Sequence, residues 1–183
     1  SVELFLLLLN LASEYFGNIL TNKSFQYIAL TRQGIRDSDL SALIGEEWDE
    51  LKFSNLRRWF RPLMVEQGKG KQSYFGHNKL VEALRDTLSY NAQKMHRDIA
   101  NHFLALPDTD VLRTQEIMYH MMYGDMNKEA AEYYAKTKDE ATAVTTNVIA
   151  QEVRGHPTQT EISKWVSELL AINNSETLCH YLV

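Results

Sequence analysis

Residues 63–75 break an otherwise helical sequence pattern, and that break limits the architectures open to the chain. Leu63-Met64-Val65-Glu66 and Gln72-Ser73-Tyr74-Phe75 read as two short strands, and Gln67-Gly68-Lys69-Gly70-Lys71 between them is a glycine-rich turn. Two strands this short cannot bury a face on their own, so the hairpin must lie on helices. The pattern therefore predicts a mainly α fold carrying one small β-hairpin.

Upstream, residues 2–16 place Leu4, Leu7, Leu8, Leu11, Ala12 and Tyr15 at three- and four-residue steps, predicting an amphipathic helix that ends near Gly17. A second helix carries Phe25, Ile28 and Ala29, with Asn22 or Ser24 as its cap, and stops at Arg32-Gln33-Gly34. A short helix through Ile44 follows, capped by Asp37 or Ser38. A third main helix, capped by Ser54, has Trp59 and Phe60 on its core side and Arg57, Arg58 and Arg61 largely on the other. Beyond the hairpin, Leu80, Val81, Leu84 and Leu88 mark one more amphipathic helix.

After residue 90 the pattern stays helical, over 92–104, 111–123, 127–136, 140–154, 160–171 and from 175 onward. Breaks fall at Pro107-Asp108, Gly124-Asp125, Lys138-Asp139, Gly155-His156-Pro157 and Asn173-Asn174. Helices of this length on short turns predict antiparallel hairpins of tetratricopeptide-like kind, although no strict repeat of about 34 residues is present. The expected organisation is a domain over 1–90 and a helical-hairpin domain over 91–183.

Charge is unevenly distributed. Residues 51–100 hold ten Lys/Arg against four Asp/Glu, whereas the rest of the chain holds nine against twenty. The basic stretch suits local phosphate contact, and the acidic remainder opposes a long polyanion. The single Cys179 excludes an intramolecular disulfide and fits a reducing compartment. The apolar run over 4–9 has no basic leader and is too short to span a bilayer, so it reads as the first core helix of a fragment excised from a larger cytoplasmic protein, with no membrane partner.

Several segments, in order, resemble one family. Leu11-Ala12-Ser13-Glu14-Tyr15-Phe16-Gly17, then Tyr27-Ile28-Ala29-Leu30-Thr31-Arg32-Gln33-Gly34-Ile35, then Asp39-Leu40 through Leu43-Ile44 and Trp48 resemble the region after the ATPase core in signal-transduction ATPases with numerous domains (STAND proteins). Tyr74-Phe75-Gly76-His77 is similar to the turn that closes the winged helix in NACHT-type members. His96-Arg97-Asp98-Ile99-Ala100 and Tyr119-His120-Met121-Met122-Tyr123-Gly124-Asp125 with Ala130-Ala131 resemble the start of their helical repeats. The resemblance covers roughly residues 10–135. It implies a winged helix that packs on the nucleotide-binding domain upstream in the same chain, with ADP or ATP and Mg held by the parent protein. It further implies a protein or peptide partner on the helical hairpins, and it makes His77 a candidate contact to the β-phosphate of ADP.

The residues themselves carry no catalytic constellation. Gly68-Lys69-Gly70-Lys71-Gln72-Ser73 lacks the spacing of a Walker phosphate loop, and no hydrophobic strand ends in paired acids to hold magnesium. Neither a G-x-S-x-G elbow nor an HExxH pair occurs, and no close pairing of His with an acid suggests zinc, so neither catalysis nor a metal site is expected of this segment. The five histidines besides His77 (His96, His102, His120, His156 and His180) read as scattered, and Met118, Met121, Met122 and Met126 read as core filler. Arg57, Arg58 and Arg61 with Lys69 and Lys71 are the set that a DNA-binding winged helix would use; the competing reading is an inter-domain face whose arginines pair with acids such as Glu46, Glu47 and Asp49. Two expectations therefore stand: a non-catalytic regulatory segment of a STAND-type ATPase, and a winged-helix DNA-binding regulator with a helical dimerisation or ligand-binding domain.

Overall fold

The computed structural model describes residues 2–68, 70–87 and 91–137. The helices expected over 140–154, 160–171 and from 175, together with Lys69, Leu88 and Cys179, lie outside the described residues. The chain divides into two compact units, Ser1–Met95 and His96–Val183.

The first unit runs α1 (Val2–Phe16), α2 (Asn18–Leu30), α3 (Asp37–Ile44), a 3-10 turn (Gly45–Glu47), α4 (Glu50–Trp59), β1 (Met64–Gln67), β2 (Gln72–Phe75) and α5 (Asn78–Asp86). The architecture is mainly helical with one two-stranded antiparallel sheet, in which Met64 pairs with Phe75 and Gln67 with Gln72. Gly68, at φ 75°, opens the connecting turn in the left-handed region where a side chain is disfavoured.

Four phenylalanines from four different segments join these elements. Phe25 of α2 meets Phe60, just past α4, edge-on at 4.7 Å, and Phe75 of β2 at 5.4 Å; Phe5 of α1 lies 5.9 Å from Phe60 and 6.2 Å from Phe75. All four rings are buried, and edge-on packing places the positive ring edge against the negative face. The hairpin is thereby tied to the helices through Phe75. A second tie is the bridge between Ile35 and Ser73, whose backbone N–H groups each donate to the other's carbonyl at 3.1 and 2.9 Å. Gly34 makes that approach feasible: its φ is 77°, and a Cβ there would stand 2.7 Å from the Ser73 carbonyl oxygen. Arg85 of α5 closes the unit by donating from Nε to the Ala29 carbonyl at 2.8 Å.

Several local expectations change. In α1 the buried stripe is Phe5, Leu9, Ala12 and Phe16, while Leu4, Leu7, Leu11 and Tyr15 face outward. Leucines occupy nearly every turn of this helix, so spacing alone does not select a face; the aromatic cluster does. Asn22 and Ser24 fall inside α2, whose N-terminal flank is Gly17. Ser54 lies inside α4, and Asp49 caps that helix by accepting from the Lys52 backbone N–H at 2.9 Å. Neither Asp37 nor Ser38 caps α3. Arg36 occupies the cap position, and the buried Asp39 carboxylate accepts from its backbone N–H at 3.3 Å and from its Nε at 2.7 Å. Trp59 is not a core residue: it is 44% exposed and stacks on Tyr15, while Phe60 is fully buried.

The described part of the second unit holds α7 (Val111–Tyr123) and α8 (Asn127–Thr137), together with most of α6 (Ala92–Ala105), the helix in which the division between units falls. Arg97 near the start of α6 donates to the Gly124 carbonyl beyond the end of α7, and Arg113 near the start of α7 donates to the Leu106 carbonyl beyond α6, so the two helices run antiparallel. Asp110 caps α7 by accepting from the Arg113 backbone N–H. The turn into α8 puts Asp125 at φ 56°, a conformation Asp tolerates better than most residues. Met118, Met121, Met122 and Met126 are all buried, as core filler should be.

Candidate functional site

The arginines of α4 do not share one role. The Arg57 guanidinium donates to both carboxylate oxygens of Asp37 at 3.2 and 3.1 Å and also to Glu66, and it lies 5.3 Å above the Phe53 ring. It thus clamps the start of α3 and the middle of β1 to α4. Its partners come from 20 residues upstream and nine downstream, not from Glu46, Glu47 or Asp49. Arg58 and Arg61 are exposed, and with Ser54, Arg57, Met64 and Glu66 they line a shallow pocket of about 350 Å³. Lys71 is exposed at the hairpin turn, with φ 49°.

Burial at the foot of α3 outweighs the attraction and hydrogen bonds of Arg57 and holds the Asp37 carboxyl above its ordinary value of 3.8, with Glu66 and Glu50 pushing the same way. A raised carboxyl means that the folded chain binds more protons than the unfolded one between 3.8 and the raised value. Stability therefore falls as pH rises through that window and is level above it. The Asp37 side chain is 38% exposed, so water damps the effect to under about 1 kcal/mol. Asp37→Asn is expected to remove this slope, read as the difference in urea midpoint between the two proteins from about pH 3 to pH 6. A wild-type advantage that grows with pH would show instead that the Arg57 pair dominates.

His77 occupies the N-cap position of α5 with extended backbone (φ −132°, ψ 114°), and its carbonyl accepts from the N–H groups of Leu80 and Val81. Its ring is exposed and makes no capping hydrogen bond. Residues 76–80 form one wall of a groove of about 720 Å³ whose other walls are Val2, Leu4, Phe5 and Leu8 of α1 and Leu63. The groove is therefore apolar along its length, with an imidazole, Lys79 and the first amides of a helix at one side, an environment suited to an anionic group attached to an apolar body.

The second unit contains a buried polar chain that sequence reading missed. His120 Nε2 lies 3.1 Å from Glu116 Oε2, and His120 Nδ1 lies 2.8 Å from His96 Nδ1. Glu116 and His120 are fully buried and His96 nearly so. When the His120 Nε2–H donates to the Glu116 carboxylate, neutral His120 accepts at Nδ1, and His96 must be the donor there. Tyr119, Tyr123 and Phe103 rings surround the pair at centroid distances of 5.1–6.1 Å from one or other imidazole. The i,i+4 spacing of Glu116 and His120 was the available signal; nothing in the sequence brings His96, 24 residues away, to the same point.

No protein-family model, curated protein or solved structure matches the chain. Among the described residues, no group of three or more His, Cys, Asp and Glu is arranged to hold a metal ion. No helix among them is long and apolar enough to cross a membrane. The structure thus brings Arg57, Arg58 and Arg61 to one pocket, sets His77 on a separate groove, and places Lys71 at the hairpin turn.

Proposed function

We propose that residues 1–90 form a winged-helix module of a STAND-type signalling ATPase, and that the helices after it are tetratricopeptide-like hairpins that relay or sense a protein partner. The hairpin packed on three helices, with Ile35 pairing to Ser73 as a third extended segment, is the observation that carries this reading. A wing held at three points, through Phe75, Ser73 and the Arg57 clamp, is stiff enough to transmit a displacement of its neighbour.

In this reading the segment is non-catalytic and cytoplasmic. It rests on the nucleotide-binding domain of its own chain, where ADP, or ATP with Mg, is bound, and His77 donates an N–H to a phosphate from the start of α5. The test uses the protein together with its nucleotide-binding domain: His77→Ala should speed release of a fluorescent ADP analogue about tenfold, the order expected for one charge-assisted hydrogen bond. Unchanged release would remove His77 from the nucleotide site.

The exposed Arg58, Arg61 and Lys71 favour a second reading, a DNA-binding regulator. Against it, Arg57 is held by Asp37 and Glu66, and Glu66 also places negative charge on the same pocket. Mobility shift of a short duplex at low salt separates the two. Under the first reading the shift is absent or non-specific, and Arg58→Ala/Arg61→Ala does not alter sequence preference.

A further inference from the structure

The outward face of α1 is a row of exposed apolar side chains. Leu4, Leu7, Leu11 and Tyr15 are 65%, 57%, 51% and 72% exposed, and Trp59, stacked on Tyr15, extends the stripe at 44%. Together they present on the order of 600 Å² of side-chain surface, at the upper limit of what a monomer usually leaves uncovered and near one partner's share of a standard interface.

The two ends of this stripe differ in a complementary way. At one end Tyr15 stacks on Trp59 with ring centroids 5.4 Å apart, giving an exposed aromatic pair. At the other, Leu4 and Leu8 line the 720 Å³ apolar groove with Val2 and Leu63. Both ends carry an exposed acid, Glu3 beside Leu4 and Glu14 beside Tyr15, and the groove end adds one cation, Lys79 on the groove wall.

We propose that two copies of this chain pair through α1, antiparallel and about a two-fold axis, with Tyr15 and Trp59 of each copy seated in the groove of the other. Leu4 and Tyr15 are separated by about 16 Å of helix, and setting one opposite the other in an antiparallel pair also sets Leu8 opposite Leu11. Lys79 then faces Glu14 of the second copy. A parallel pair would instead oppose groove to groove, aromatic pair to aromatic pair, and Glu14 to Glu14. The antiparallel arrangement sets the protruding aromatic pair of each copy against the recess of the other, a self-complementary match about a two-fold axis. The observations behind this pairing are the exposed face of α1 and the groove, and none of them depends on the functional reading above, although His77 shares the groove wall with Lys79.

Sedimentation of the 183-residue chain from about 1 to 500 µM should show a reversible monomer–dimer equilibrium with a dissociation constant of roughly 1–100 µM. Leu11→Asp should weaken it at least tenfold without altering the far-ultraviolet circular dichroism, because Leu11 is half exposed and outside the core. Glu14→Lys should weaken it less, and Glu14→Lys combined with Lys79→Glu should restore the wild-type constant. A chain that stays monomeric throughout overturns the proposal and assigns the face to a different neighbour. Dimers insensitive to Leu11→Asp place the interface elsewhere and overturn it equally, and loss of dimer in the doubly reversed variant overturns the antiparallel geometry.

Discussion

Phe25→Ala is expected to cost the first unit about 3–5 kcal/mol, the upper range for emptying a packed core. The ring is fully buried and touches aromatic partners from three other segments: Phe5 in α1, Phe60 after α4 and Phe75 in β2. Collapse into the vacated space is opposed on every side. Shifting Phe75 inward would pull β2 away from the Ile35–Ser73 bridge, and shifting Phe60 would drag the end of α4, whose Arg57 is held by Asp37 and Glu66. The remaining cavity therefore persists, and the lost transfer free energy is not offset by repacking. Urea denaturation followed by hydrogen–deuterium exchange over residues 20–30 and 72–75 measures the change. Both segments should lose protection together, since the hairpin has no stability apart from the helices. A loss below about 1 kcal/mol, or protection of 72–75 surviving that of 20–30, would show that the four rings do not act as one core.

That core also marks the limit of what the sequence discloses. The hairpin was legible because residues 63–75 change both period and turn chemistry within a few positions, and its strands begin and end within one residue of the reading. The face of α1 was not legible, because leucine recurs at 4, 6, 7, 8, 9 and 11 and satisfies several helical phases equally. The decision belongs to Phe5 and Phe16, which alone among the α1 side chains bring aromatic rings to face the interior. Trp59 misleads for the opposite reason: a large apolar residue is assigned to the core by type, yet its ring lies over Tyr15 at the surface.

The basic residues show the same division between local and distant information. A run such as Arg57, Arg58 and Arg61 announces a charged helix, but only the fold reveals that the first is spent on Asp37 and Glu66 while the others remain exposed. Counting arginines thus overstates the positive field offered to a polyanion. His77 differs, since its place at the start of a helix after a strand was readable from the order of elements alone, and the groove beside it comes from α1, more than 60 residues away in sequence.

The strongest expectation for the second unit concerns Glu116 and His120. Glu116→Leu leaves the His120 N–H and the His96 contact buried with the acceptor removed, and should destabilise the helices of that unit by about 1–3 kcal/mol, the cost of an orphaned neutral donor. Glu116→Gln, which keeps an acceptor oxygen within reach of His120 but discards the charge, should cost less than half as much. The informative variant replaces both groups. Glu116→Leu combined with His120→Leu removes donor and acceptor together, so the penalty of an orphaned polar atom disappears except at His96, and stability should recover much of what the single change lost. Thermal and urea unfolding of these three variants and of His120→Leu alone, with exchange followed over residues 111–123, gives the coupling directly. If the double variant is as unstable as the sum of its single changes, the two side chains act independently and the network is not a unit. If instead it regains stability, the buried chain from Glu116 through His120 to His96 is a device for matching α6 to α7: a hydrophobic replacement could pack in several registers, whereas an Nδ1-to-Nδ1 hydrogen bond forms in one.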